Sequence, residues 1–183
     1  MRKGFCFVVL PILAALVMSC GSSPAVGANG DAQPGWVRRV PADTDTLTYF
    51  VGSGREGKTI TAKKATARAA ALQALNEWKA ATVESALRDY VSEYGETGNT
   101  QSLEGLENGV KARARANTSG FREVESWVAA DEHYEILYSY PINDFRNDFK
   151  AATNEFIRNE SAAFAEFKAD EFFKILDAEL DKK

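Results

Sequence analysis

Hydrophobic positions along this chain alternate, then recur at helical spacing, then alternate again. Leu47 to Gly52 (LTYFVG) is β-branched and aromatic, lies between PADTD and glycines, and predicts a strand. From Thr59 to Tyr94 there is no Pro or Gly, and Ala, Lys, Glu and Leu dominate, which predicts helix. Ala65, Ala69, Leu72, Val83, Leu87, Tyr90 and Tyr94 fall on one side of that helix, and Asn76 and Lys79 interrupt the stripe. A straight helix of this length would span about 50 Å, long for so small a domain, so a bend or break is expected after Trp78. The alanines near its start suit close approach to a sheet.

Ser102, Leu103, Leu106, Val110 and Ala114 predict a second, weaker helix, softened by Gly105 and Gly109. Two strand-like runs follow, Phe121 to Ala129 and His133 to Tyr140, joined by a short AADE segment that predicts a hairpin. In the second run Tyr134, Ile136, Tyr138 and Tyr140 alternate with His133, Glu135, Leu137 and Ser139, the pattern of a half-buried strand. From Ile142 onward the pattern predicts one long helix holding seven of the eleven phenylalanines. Phe145, Phe149, Phe156, Phe164 and Phe167, with Ala152 and Ala163, share one face. Phe173, Leu176 and Leu180 lie well around the cylinder, which calls for a kink near Ala169 and leaves open whether this second patch packs in the core or against another molecule.

The first twenty residues change the picture. Arg2 and Lys3 precede the apolar run GFCFVVLPILAALVM, which ends at Ser19 and Cys20 and gives way to GSSPAVGANG. A basic start, a short apolar core and a small residue at the processing point describe a signal peptide over 1–19. The run is shorter than the roughly 20 residues of a membrane span. Val17, Met18, Ser19 and Cys20 resemble the bacterial lipobox, with Cys20 the lipidated residue; an uncleaved anchor is the alternative. The chain has two cysteines, Cys6 and Cys20, so the processed protein would hold one sulfur and no internal disulfide. Residues 20–35, rich in Gly, Ala, Ser and Pro, predict a flexible tether with a coil dimension of roughly 20 Å, and the folded part is expected over 36–141 with the Phe-rich helix over 142–183.

Processing removes 19 of 183 residues and leaves 164, enough for one domain with a core. Arg2 and Lys3 leave with the signal, so the net charge moves from -4 to -6. That balance, without a basic stripe, argues against nucleic-acid binding.

Candidate chemistry centres on GSGREGKT, residues 52–59, which fits the phosphate-loop pattern G-x-x-x-x-G-K-[ST]. With Asp131 and Glu132 it would nominate Lys58 for phosphates, Thr59 and Asp131 for a magnesium ion, and Glu132 to activate water. The motif works inside a parallel βαβ sheet, and the two later strands are too close together to be parallel. Gly52 and Gly54 are then expected to turn the strand into the helix, Lys58 to be a solvated charge and Thr59 a helix cap. His133, the single histidine, is expected to face outward beside Glu135, which leaves little basis for a metal site or histidine catalysis. No catalytic residue, cofactor or metal is expected.

Trp36 after a proline, an aromatic strand ending Gly52-x-Gly54, the alanine-rich AKKATARAAALQAL and a late Trp127 strand before an aromatic strand together resemble the LPP-twenty family of bacterial lipoproteins, over about Pro34 to Tyr140. The family includes exported proteins tied to the flagellar basal body. The resemblance implies an α+β fold with helices on one face of a small antiparallel sheet of about three strands, and supplies no active-site residues. The sequence therefore leads to a lipid-anchored, non-enzymatic envelope protein acting as a structural or assembly element, flagellum-associated if the family link applies, with membrane contact through Cys20 and protein partners or self-association through the C-terminal helix. Gly21 after the cysteine leans toward the outer membrane. A groove between helix and sheet that takes a small ligand or peptide is the alternative, and nucleotide binding through Lys58 and Thr59 the second.

Overall fold

Three antiparallel strands form the sheet, in the order β1-β3-β2, in a computed structural model that describes residues 25–95, 100–160, 164–165 and 167–182. Cys20, the signal segment and the first residues of the tether lie outside the described residues. A short turn of helix, α1 (Gly35–Arg38), precedes β1 (Leu47–Gly54); α2 (Ile60–Tyr94) and α3 (Thr100–Ala116) follow, then the hairpin β2 (Arg122–Val128) and β3 (Tyr134–Pro141), and finally α4 (Ile142–Asn159) and α5 (Ala169–Asp181). The fold is α+β, as the sequence indicates.

Gly52 and Gly54 decide how the first layers meet. Both lie inside β1, not in a turn after it, and a Cβ on Gly52 would sit 1.9 Å from the Ala67 carbonyl oxygen, one on Gly54 the same distance from that of Lys63. The α2 backbone therefore rests directly on the strand backbone, and the expected turning role belongs instead to Gly57, whose φ of 121° favours glycine. This contact selects the buried face of α2: Ala67, Ala71 and Leu75 are buried, whereas Ala65 and Ala69, expected to point inward, are exposed.

The α2 helix is unbroken over 35 residues, against the expected interruption after Trp78. Its length is used by two cores in succession. Ala67, Ala71, Leu75, Lys79, Val83 and Leu87 are all buried and four residues apart, and positions so spaced drift by about 40° per step around an α-helix. The buried face thus winds from the sheet in the first half to α3 and α5 in the second.

The terminal region departs from a single long helix. Helix α4 ends at Asn159, ahead of the kink expected near Ala169, and α5 begins at Ala169, with residues 164–165 in a turn between them. A straight helix through both segments would hold its two apolar stripes on different sides. Breaking it lets Phe145 and Phe149 enter the main core while α5 folds back on the distal half of α2 and buries Phe172, Leu176 and Leu180. Tyr90 lies 5.5 Å from Phe172 and 4.7 Å from Phe167, ring centre to ring centre, and its hydroxyl accepts from the Lys168 amide at 2.9 Å. The patch that suggested contact with another molecule is covered by the protein's own helix. On α3, Phe156 lies over Gly105 and Gly109, with a Cβ at Gly109 only 3.0 Å from its ring, so the glycines that weaken this helix make room for an aromatic.

Strand β3 is buried on both faces, not one. It is the central strand, and its second face lies under a small cluster of Trp36, Trp127, Ala129 and Leu137. Residues expected to be tether help to form this cover: Val26 bridges Ala32, Gly27 bridges Ala129, and the Ala28 amide donates to the Val128 carbonyl at 2.9 Å. Gly27 packs so closely that a Cβ there would sit 2.7 Å from the Trp127 indole nitrogen.

Candidate functional site

The residues of the phosphate-loop reading do meet at one end of the sheet. Gly54 pairs with Tyr134, and Val128 pairs with the same residue from the other side, so the β1–α2 loop and the β2–β3 turn are neighbours. Their groups are engaged elsewhere, however. The Thr59 hydroxyl accepts from the Ala62 amide at 3.2 Å as the N-cap of α2, Glu132 pairs with Lys63 at 3.4 Å, and Asp131 pairs with His133. Lys58 is exposed. The sheet carries antiparallel pairings alone, so the parallel strand-helix-strand frame that presents backbone amides to phosphate is replaced by a different geometry. Replacing Thr59 with alanine should cost about 1 kcal/mol in urea unfolding, the value of a lost cap, and should leave any effect of magnesium-ATP on melting unaltered.

Next to this end lies a polar chain on the Trp36 face of the sheet. The Ser53 hydroxyl donates to Glu135 at 2.8 Å, the His133 Nε2 lies 3.4 Å from the same carboxylate, and the His133 Nδ1 faces Asp131. Glu135 is buried, and the Trp127 ring stands edge-on to the imidazole at 6.1 Å. The hydrogen bond from His133 holds the Asp131 carboxyl below its usual pKa. His133 is thus partly enclosed, contrary to its expected outward position, and bridges two carboxylates. Ser53 is hydrogen-bonded to a carboxylate and not to the imidazole, so the serine–histidine pair of nucleophilic catalysis is not formed by these side chains. Among the described residues no group of three or more His, Cys, Asp or Glu side chains is placed to hold a metal ion.

The most unusual ionisable group is Lys79, which sequence reasoning treated only as an interruption. It is completely buried at the middle of α2. Its ammonium donates to the carbonyls of Ala114 at 2.9 Å and Asn117 at 2.6 Å, and lies 4.3 Å from the centre of the Tyr140 ring. Those carbonyls belong to the last turn of α3 and the residue after it, where unpaired acceptors and the negative end of the helix dipole favour a cation. Burial lowers the Lys79 pKa to about 8, with the Asp148 charge acting in the opposite direction. Burial also raises the Tyr140 hydroxyl above its usual range, with Asp148 and Asp144 adding to the effect, and that hydroxyl has no partner among the described residues. Asn117 donates to Asp148, so the cluster ties α2, α3, β3 and α4 together.

A surface cleft of ≈ 390 Å³ opens beside this cluster, between Arg113, Ala116, Asn117, Asp148 and Ala151. The ammonium itself does not reach it, having no exposed surface. Lys79 therefore serves as a helix cap supplied from another helix, and a nucleophilic role, which needs access to a substrate, has no support in this geometry. Along the seam between helix and sheet, where the alternative reading places a ligand groove, Gly52 and Gly54 hold the two backbones in contact. Among the described residues no helix is long and apolar enough to cross a membrane. Comparison with known proteins adds nothing to these observations: no family model, no curated protein and no solved structure matches the chain.

Proposed function

We propose that the protein is a lipid-anchored lipoprotein of the bacterial envelope, held to the membrane by acyl chains on Cys20, whose folded domain is non-enzymatic and acts by contact as a structural or assembly element. The observation that carries the reading is the N-terminal sequence: two basic residues, a short apolar run and Val17-Met18-Ser19-Cys20, with no other cysteine after the cut. Support also comes from how the polar side chains that stand out are used. Lys79 caps a helix, Thr59 caps another, and Asp131, His133, Glu135 and Ser53 bond to one another. A domain whose reactive groups are spent on its own framework offers partners its surface.

Replacing Cys20 with serine in the native cells tests this. The expected result is a shift of the protein from the membrane pellet to the soluble fraction or to the unprocessed precursor. Unchanged sedimentation with membranes and unchanged size would oppose the proposal.

A further inference from the structure

We infer that the domain stands on the membrane in a fixed sense, with the sheet end that carries the β1–α2 loop and the β2–β3 turn against the lipid headgroups and the distal half of α2, with α3 and α5, pointing away. This rests on anchoring at Cys20 and adds the orientation and the lipid-facing surface.

The register of the N-terminal segment gives the direction. Ala28 bonds to Val128 and Gly27 pairs with Ala129 in antiparallel sense, so from Ala28 back to Ala25 the chain runs toward the end of the sheet that carries the Ala129–Glu132 turn. The segment is tied in place by three further backbone bonds: Gly27 to Asp31 at 2.7 Å, Gly30 to Gly27 at 3.0 Å and Gln33 to Ala25 at 2.9 Å. From Ala25 to Cys20 the chain spans five residues, at most about 17 Å when fully extended. A lipidated Cys20 sits at the bilayer interface, so this end of the sheet cannot be lifted far from the headgroups. Docking of residues 25–33 shortens the reach of the tether expected from the sequence and so restricts how far this end can move from the anchor.

The side chains at this end suit a headgroup layer. Ile60 and Val26, 44% and 52% exposed, are two of the large apolar residues left open on the surface. Arg55 and Lys58 are exposed in the same loop and can reach lipid phosphates, while the loop's Glu56 and the nearby Asp31 keep the surface mixed in charge. Asp131 and Glu132 are already paired with His133 and Lys63. A mixed surface implies that contact needs phosphate groups but no excess of anionic lipid. Starting from this end, α2 runs back along the sheet and continues past it, about 50 Å in all, and carries α3 and α5 away from the bilayer.

The test is photo-crosslinking of the full protein, processed in its own cells and reconstituted into phosphatidylethanolamine vesicles with and without phosphatidylglycerol, to lipids bearing a photoreactive group at the headgroup. Sites are mapped by mass spectrometry, which also reads the mass of the Cys20 peptide. The expected result is an acylated Cys20 with crosslinks in 25–32, 55–60 and 129–132 several-fold above those in 100–116 and 169–181, in both lipid mixtures. An acylated Cys20 with scattered or distal crosslinks overturns the orientation while leaving the anchor standing. An unmodified Cys20 overturns both. Gly27→Leu, which should displace the docked segment from Trp127, should spread the crosslinks over the surface.

Discussion

Replacing Gly52 with alanine or valine will destabilise the domain by about 3 kcal/mol or more in urea unfolding, a large effect for a substitution that only adds atoms. Even the alanine methyl would stand 1.9 Å from the Ala67 carbonyl oxygen and 2.7 Å from the Ala71 nitrogen. Both neighbours are backbone, so no rotamer change relieves the clash. The helix has to lift from the strand, and Phe50, Trp78 and Phe145, whose rings meet at 6.0 and 5.1 Å, lose their fit. Gly35→Ala is the control, because a Cβ there meets nothing within 4 Å, and its effect should stay within about 0.5 kcal/mol. Equal stabilities for the two variants would show that α2 does not rest on the glycines.

Lys79→Ala should cost about 3–5 kcal/mol, since it opens a cavity and leaves a buried and a part-buried carbonyl without this donor. Lys79→Met keeps the apolar stem and removes the charge, and should cost about 1–3 kcal/mol. The same residue gives the wild-type protein a pH signature. Its folded pKa of about 8 lies below the unfolded value near 10.5, so between these limits the unfolded chain holds the proton more tightly and stability rises with pH. The gain by pH 10 is on the order of 2 kcal/mol. Above about 10 the direction reverses, because Tyr94, held up to about 12, and Tyr138 and Tyr140 keep their protons in the fold while unfolded tyrosines lose theirs. Unfolding free energies measured from pH 7 to 9, below the tyrosine range, should climb in the wild type and stay flat in Lys79→Met.

The strands and the existence of the helices were legible because each has a strong local signal: alternation in β3, leucine and valine spacing in α3, and a Pro- and Gly-free run in α2. The buried face of α2 was not. In ATARAAALQAL six of eleven positions are alanine, so periodicity cannot choose between Ala65 and Ala67; the choice is made by two glycines on another element. Lys79 broke the apparent stripe for the same reason that it matters, since its partners are carbonyls of a helix far along the chain. No residue in 160–169 is Gly or Pro, so the separation of α4 from α5 follows from tertiary packing and carries no local mark. Part of the expected tether is docked because Trp36 and Trp127 need cover, again a long-range demand. The phosphate-loop letters were discounted on topology, and the strands do pair antiparallel, but the packing use of Gly52 and Gly54 was missed: they admit a helix backbone against the strand.

The proposed membrane attachment requires Cys20 to become the first, acylated residue of the mature protein. The most direct measurement is the intact mass of the protein isolated from its own membranes, with fragmentation of its N-terminal peptide. The expected result is a chain of 164 residues, 183 less the 19 removed, that starts at Cys20 and carries added acyl mass on that residue. A chain that retains residues 1–19, or a Cys20 with a free thiol, would contradict it.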